Sequence, residues 1–158
     1  GTLRPGPSAP LVPTGRPASE PFPVPPRAAL LLGYDLHPIE FEFVAARDLS
    51  LTERLEHGEF WRARNWAHPA WIASAANAIV RHNVDFEDGG YWMHAGVGVD
   101  LHQPVADGAD LMVQGRVVEL FERSVHRFMI CDVLVTVGGA PAASIRSTSV
   151  YGAASVSP

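Results

Sequence analysis

Apolar residues recur with helical spacing in one segment of the chain, from His68 to Asn83. The spacing i, i+3, i+4, i+7, i+8 places side chains on a single helical face. Here these positions hold Ile72, Ala75, Ala76, Ile79 and Val80. Pro69 suits the first helical position, where its missing N–H would have had no partner, so His68 falls at the N-cap. The pattern predicts a helix with one buried face.

The rest of the chain carries the patterns of strands and turns. Residues 39–44 alternate apolar and acidic side chains with period two, which indicates a half-buried strand. Four longer strands are predicted after the helix, separated by turns rich in Gly, Pro and Asp, over residues 91–102, 111–121, 125–137 and 142–151. Turns that join consecutive strands favour an antiparallel meander. The order is that of an α+β fold, in which the sheet is expected to curl around the helix.

Proline dominates the first 27 residues, which hold nine of the fourteen prolines. Proline removes backbone donors and fixes φ, so this segment is not expected to form a helix or a central strand. The predicted organisation is a Pro-rich linker or tail over 1–33, one domain over 34–154 and a short tail over 155–158.

Composition narrows the classes of partner. The formal net charge is −5 and the 12 basic residues include no lysine. This argues against nucleic acid, because affinity for phosphates rests on clustered positive charge. No apolar run reaches the roughly 18 residues of a membrane span, and the chain does not begin with the order of a signal peptide. Cys131 is the only cysteine, so an intrachain disulfide is excluded and a buried thiol is predicted. The expected location is cytoplasmic.

Three stretches carry a resemblance to a known family. They are HPAWIASAAN at the helix, YWMHAGVGVDLHQPVADGADL as a strand and its turn, and RVVELFERSVHRFMICDVLVT as a long hairpin. Residues 39–152 resemble a hotdog domain, in which a long antiparallel sheet wraps one central helix. Within that superfamily they are similar to the MaoC-like hydratase and dehydratase group, especially to the second half of double-hotdog proteins.

The resemblance implies a ligand and a partner. The ligand is an acyl thioester of coenzyme A or of the phosphopantetheine on an acyl carrier protein, as in fatty acid or polyketide metabolism, with no further cofactor. The partner is a second copy or another hotdog unit. The family's hydratase motif has an Asp five residues before the His at the helix start, but counting back from His68 gives Ala63. Three functions therefore stay open: enoyl hydratase or 3-hydroxyacyl dehydratase first, then thioesterase, then a non-catalytic acyl-binding or dimerisation unit.

Three residues are candidates for catalysis on that scaffold. His68 lies where a helix start is expected to present unpaired N–H groups and partial positive charge, which suits it to a thioester carbonyl. Asn77 is a polar residue inside the helix, and it needs a partner if it is buried. Glu59 lies in a polar segment and is the candidate for the missing acid. The alternatives are a plain cap for His68 and a structural hydrogen bond for Asn77.

The strand after the helix supplies candidates for substrate binding. Strict alternation puts His94, Asp100 and His102 on one face, where an Asp can orient a His for acid–base chemistry. Gly96 and Gly98 share that face and leave room near the backbone. The alternative is a solvated face. No metal site is predicted, because His94 and His102 lie roughly 26 Å apart along an extended strand.

Two segments before the helix have weaker patterns. In residues 47–59 the leucines at 49, 51 and 55 are expected to pin a short irregular or helical piece. Residues 60–66, FWRARNW, form either a packed approach loop or a lid whose Arg62 or Arg64 meets a phosphate.

Overall fold

The computed structural model of the protein describes residues 32–52, 55, 57–86 and 92–153. The predicted tails therefore lie outside the described residues, apart from 32 and 33, and so do residues 87–91, between the predicted helix and the strand that follows it. The elements in chain order are β1 (Asp35–Phe43), α1 (Ala45–Asp48), a 3₁₀ turn (Leu49–Thr52), α2 (Gly58–Arg62), α3 (Pro69–Asn83), β2 (Met93–Leu101), β3 (Ala109–Arg123), β4 (His126–Val137) and β5 (Ala140–Ala153).

The five strands form one antiparallel sheet in the order β1-β3-β4-β5-β2. Only β3, β4 and β5 are a meander, so the prediction of one through all four later strands is wrong. β2 lies at the far edge beside β5, and the connection to β3 passes the start of α3. There Ala67 N donates to Val105 O, and Trp66 bridges to Ala106. This crossing leaves α3 in contact with strands from both edges of the sheet.

The helix α3 has the face that its spacing predicts. All five apolar residues named above are buried in the core between the helix and the sheet. The helix begins at Pro69 with His68 as N-cap, and the backbone leaves helical geometry at Val84. The prediction of one central helix against a long antiparallel sheet is confirmed.

Asn83, at the end of α3, forms hydrogen bonds with β1 where the pairing of that strand is irregular. The pairing of β1 with β3 shifts between Leu36 and Ile39, around Pro38. His37 N donates to Asn83 Oδ1, and Asn83 Nδ2 donates to His37 O at 2.9 Å. The predicted alternation is confirmed from Ile39 to Phe43, because the acidic side chains point to solvent and Phe43 is fully buried.

Two aspartates organise the segment after β1. Asp48 accepts hydrogen bonds from Arg47 Nε at 2.7 Å and from Val44 N at 2.9 Å, while Asp107 accepts from Ala45 N at 2.7 Å. The hydrogen bond from Arg47 is the main cause of a lowered pKa at Asp48. Leu49 is buried as expected.

Leu55 does not pin this segment, because its side chain is exposed. The side chain of residue 51 lies outside the described part of the chain.

Cys131 is buried on β4, which confirms the prediction of a buried thiol. Burial, with a smaller contribution from Asp132, raises its pKa to about 12. Among the described residues no helix has the length and apolar character needed to cross a bilayer.

Candidate functional site

The start of α3 is built around His68. Its backbone is extended, and its Nδ1 accepts a hydrogen bond from Ala70 N at 3.0 Å. Its carbonyl oxygen accepts from Trp71 N at 2.9 Å and from Ile72 N at 3.1 Å. Pro69 has no N–H. The expectation that this helix start presents unpaired N–H groups is therefore wrong, because His68 itself takes up the donors of the first turn.

Aromatic side chains from α2 and the following turn pack beside that histidine. The Trp61 ring meets the His68 ring edge to face, with centroids 5.7 Å apart. Phe60 and Trp66 pack at 6.4 Å, and the Arg64 guanidinium lies over the Phe60 ring, 3.8 Å from its centroid. Residues 60–66 therefore combine the end of α2 with a packed approach loop.

Arg64 is engaged within this loop. Its Nη1 also donates to Phe60 O at 3.0 Å, so its donors are partly used by its own segment. This contact does not favour Arg64 as the phosphate-binding residue.

Arg62 and Glu59 both belong to α2, and both line the same cleft. The cleft has a volume of about 430 Å³, and its wall also includes Leu55, His57, Gly58 and Phe60. Glu59 lies in the first turn of α2 and is exposed, whereas Arg62 is half-buried. The structure thus brings a carboxylate and a guanidinium to one concave surface on the element that packs against His68.

Asn77 lies on the flank of α3 that points away from β1. Trp71 marks the β1 side, because it packs edge to face on Phe41 and Phe43. Asn77 is on the other side of the buried face, about 120° around the axis from Trp71 at 100° per residue. Its Oδ1 is buried and has no hydrogen-bond partner among the described residues. A buried acceptor of this kind is a candidate contact for a ligand.

A bulge in β2 separates the polar residues that the sequence placed on one face. His94 pairs with Ser149, whereas Gly96 pairs with Thr148, so Ala95 is an extra residue on this strand. Paired residues in antiparallel strands project to the same side. His94 therefore projects with Ser149 to the α3 side of the sheet, and Gly96 projects to the outer side. The prediction that His94 shares a face with the two glycines and Asp100 is wrong.

The outer face of β2 keeps the remaining residues together. Gly96 and Gly98 have open space where a Cβ would stand, as predicted. Asp100 pairs with Ser144, and Ser144 Oγ lies 2.8 Å from His102 Nε2. The serine beside Asp100 on the neighbouring strand thus bonds to His102, and both Asp100 and His102 are solvent-exposed. Among residues 32–52, 55, 57–86 and 92–153, no three His, Cys, Asp or Glu side chains are placed to bind one metal ion.

Sequence reasoning missed two polar residues of the core. Ser147 projects from β5 towards α3 and is fully buried; within the described structure its Oγ lacks a hydrogen-bond partner. Asn83 is the last residue of the predicted helix, and its side-chain amide also joins α3 to β1. Neither role has a sequence signal, because each depends on a strand distant along the chain.

Comparison with known proteins gives matches at the level of structure alone. No protein-family model matches the sequence, and no curated protein matches it either. The MaoC-like dehydratase from Rhodospirillum rubrum matches with a TM-score of 0.62 at 15% identity, over 82% of this chain and 98% of that one. A hot-dog-like protein from Thermanaerovibrio acidaminovorans matches with a TM-score of 0.60 at 12% identity, over 77% of this chain and 83% of that one.

The chain has the hotdog fold. A further match is the 3R-hydroxyacyl-ACP dehydratase complex HadBC from Mycobacterium tuberculosis, with a TM-score of 0.60 at 17% identity over 77% of this chain and 96% of that one. In this hotdog domain α3 is the central helix and β1 to β5 form the wrapping sheet.

Proposed function

We propose that this hotdog domain binds acyl thioesters and adds water to an enoyl chain or removes it from a 3-hydroxyacyl chain. The observation that carries the proposal is His68, whose ring is held at the start of the central helix by its bond to Ala70 N. Support also comes from the names of similar structures, which include a MaoC-like dehydratase and a 3R-hydroxyacyl-ACP dehydratase complex.

Other residues of the chain take roles around that ring. Asn77 offers its buried Oδ1 to a donor on the substrate or on a water molecule. Glu59 is the nearest carboxylate in sequence before His68 and serves as the candidate proton acceptor. Arg62 lines the cleft on α2 and is the candidate contact for a phosphate of coenzyme A or phosphopantetheine. His94, on the α3 side of β2, is the candidate contact for the acyl portion.

The proposed assembly is a pair of hotdog units joined at the β2 edge. The other edge, β1, is protected by Pro38, Glu40 and Glu42, features that discourage strand pairing. β2 instead exposes three apolar side chains, Met93, Val97 and Leu101. An edge strand with exposed apolar residues and unpaired backbone groups favours a second copy or another hotdog unit.

A non-catalytic role is the second candidate, and one observation favours it. The hydratase motif has an Asp five residues before its His, and in this chain that position is occupied by Ala63, the residue that follows α2. A unit without that acid binds the acyl chain or completes a pair whose other member carries out catalysis. The third candidate function is that of a thioesterase in which Glu59 activates water.

One assay separates these functions. The purified protein is incubated with crotonyl-CoA and with longer enoyl-CoA thioesters, and enoyl absorbance, free thiol and binding are followed together. Hydration predicts loss of enoyl absorbance without release of thiol, and hydrolysis predicts release of thiol. Binding with neither change contradicts the enzymatic proposal and supports the non-catalytic unit. The variant His82→Ala, at the other end of α3, is the matched control for His68→Ala, which should lose turnover.

A further inference from the structure

The outer face of the sheet carries a row of apolar side chains near the turn between β3 and β4. Phe121 in β3 pairs with Phe128 in β4, Phe128 pairs with Val150 in β5, and Val150 pairs with Met93 in β2. Met129, the neighbour of Phe128, is buried in the core on the α3 side. Because side chains alternate between faces and paired residues share a face, these four side chains project to the outer side. We call them the outer apolar row.

The two phenylalanines form the aromatic part of this row. Their rings are stacked almost in parallel, with planes 3° apart and centroids 4.9 Å apart. Both side chains are half-buried, and Met93 at the end of the row is 53% exposed. Contiguous apolar side chains on a face that is open to water are typical of an interaction site.

A neighbouring part of the outer face is charged instead. Asp35, Arg116, Asp132 and Arg146 lie side by side on β1, β3, β4 and β5, so that opposite charges alternate across the sheet. Arg116 Nε donates to Asp35 Oδ1 at 2.6 Å, and Arg146 Nε donates to Asp132 Oδ1 at 2.7 Å. This part of the face is suited to water, whereas the outer apolar row carries no charge.

The chain at the start of the described domain points towards the row. Gly33 N donates to Val117 O at 2.8 Å, and Val117 N donates to Tyr34 O at 2.9 Å. Because β1 is antiparallel to β3, the direction from Tyr34 back to Gly33 leads along β3 towards Phe121. Phe121 is four residues beyond Val117, which is roughly 13 Å at 3.3 Å per residue. Six residues, the number in 27–32, are long enough to cover this distance.

The sequence just before those six residues suits an aromatic surface. Residues 21–26 read PFPVPP, which has no charged side chain and contains four prolines. Proline cannot donate to a sheet, but proline-rich segments bind aromatic-lined surfaces as polyproline II, with little loss of entropy. Six residues in that conformation extend over roughly 19 Å. The row crosses four strands, which is roughly 14 Å, so the segment is long enough to cover it.

We propose that residues 21–26 bind across the outer apolar row of the same chain, with Phe22 and the prolines against Phe121 and Phe128. Only six residues separate this segment from Gly33, and a short linker gives an effective concentration of roughly millimolar. A contact that is too weak to hold a free peptide is therefore sufficient within one chain. The proposal concerns the face opposite to α3, and it stands whether or not the domain acts on thioesters.

Photo-cross-linking of the full chain tests which surface the segment binds. p-Benzoylphenylalanine is placed at position 22, or at position 11 as the control, and the irradiated protein is digested with trypsin. Arg4 and Arg16 both precede proline, where trypsin does not cleave, so residues 1–27 remain one peptide. Links from position 22 are expected in residues 117–123 and 128–146, which contain the two phenylalanines. Links to any other surface, or an equal yield from position 11, would overturn the proposal.

A mixture of ¹⁴N- and ¹⁵N-labelled protein distinguishes the same chain from a second copy. The expected links join peptides of one isotope only. Links that join the two isotopes as often as chance allows would show that the row binds the segment of another molecule, and the proposal would then be wrong.

Trypsin cleavage after Arg27 measures how much of the time the segment is bound, because binding beside this bond slows the removal of residues 1–27. The double variant Phe22→Ser/Val24→Ser removes apolar side chains from the segment, and Leu11→Ser/Val12→Ser is the matched control. Removal should be roughly 3- to 10-fold slower in the wild type and the control than in the first variant, for an effective concentration several times the dissociation constant. Equal rates in all three proteins would refute the binding of residues 21–26.

Discussion

Asn77 and Asn83 are six residues apart on α3, and their side-chain amides have opposite surroundings. Asn83 is buried and bonds to both backbone groups of His37 and to Ile79 O. Asn77 Oδ1, by contrast, is buried with no partner in the described part of the chain. A pair of alanine substitutions therefore separates a structural amide from one that is available to a ligand.

Asn83→Ala should lower the free energy of unfolding by about 2 to 4 kcal/mol, because it removes the two hydrogen bonds to the His37 backbone and the one to Ile79 O. Asn77→Ala, the matched control, should change it by less than about 1 kcal/mol, since alanine favours the helix and removes an unsatisfied atom. Urea denaturation of the two variants measures both values. Equal losses would mean that the two amides are not distinguished in this way.

Asp48 predicts a dependence of stability on pH. Its pKa is lowered in the folded protein, chiefly by the bond from Arg47, from an ordinary value of 3.8. A lowered pKa means that the carboxylate contributes stability above the unfolded value, and that this contribution is lost as pH falls through the folded value.

Asp48→Asn should therefore reduce stability by roughly 1 to 3 kcal/mol at neutral pH, as expected for hydrogen bonds to a charged group. The difference in stability between the wild type and Asp48→Asn should become smaller as the pH falls below about 4. Thermal unfolding at a series of pH values measures this difference, with Asp110→Asn, on the exposed side of β3, as the control. A difference that is constant across this range would rule out the ionised carboxylate as its source.

At the scale of elements, two glycines in different strands have different roles. A Cβ at Gly115 in β3 would lie 3.1 Å from Leu36 Cδ1 and 3.3 Å from Asp132 O, so β1 and β4 both pack closely there. At Gly98 in β2 the same atom would meet nothing within 4 Å. The first glycine serves close packing within the sheet, and the second leaves open space on its outer face.

Gly115→Ala should destabilise the protein by about 1 to 3 kcal/mol through overpacking of β3 against its neighbours. Gly98→Ala should leave stability within about 0.5 kcal/mol of the wild type. Both are measured as the free energy of unfolding in urea. A neutral Gly115→Ala would show that Leu36 moves aside without loss, and the close approach would then not explain the glycine.

At the scale of the whole molecule, the two edges of the sheet predict the assembly. The protein should sediment as a dimer joined at β2, where the Val97 side chain is 44% exposed. Val97→Lys should shift it to a monomer, because a charge would be buried in the interface. Val125→Lys is the control, since Val125 is 60% exposed at the turn between β3 and β4. Analytical ultracentrifugation of the three proteins measures the oligomeric state. A dimer that persists in Val97→Lys would show that the interface does not lie at β2.

Local periodicity by itself determined the elements around which this molecule is built. The buried face of α3, its start at Pro69 and the alternation from Ile39 to Phe43 all follow from the spacing of neighbouring residues, and the α+β class follows from their order. The hotdog fold itself was expected from the resemblance of residues 39–152 to that superfamily. Only the tertiary structure decided how these elements meet. The place of β2 beside β5, the turn of His94 towards α3 and the bond from Asn83 to His37 join residues distant in the chain, so no local pattern encodes them. A single extra residue at Ala95 reverses which side of a strand faces the core, because side chains alternate with a period of two.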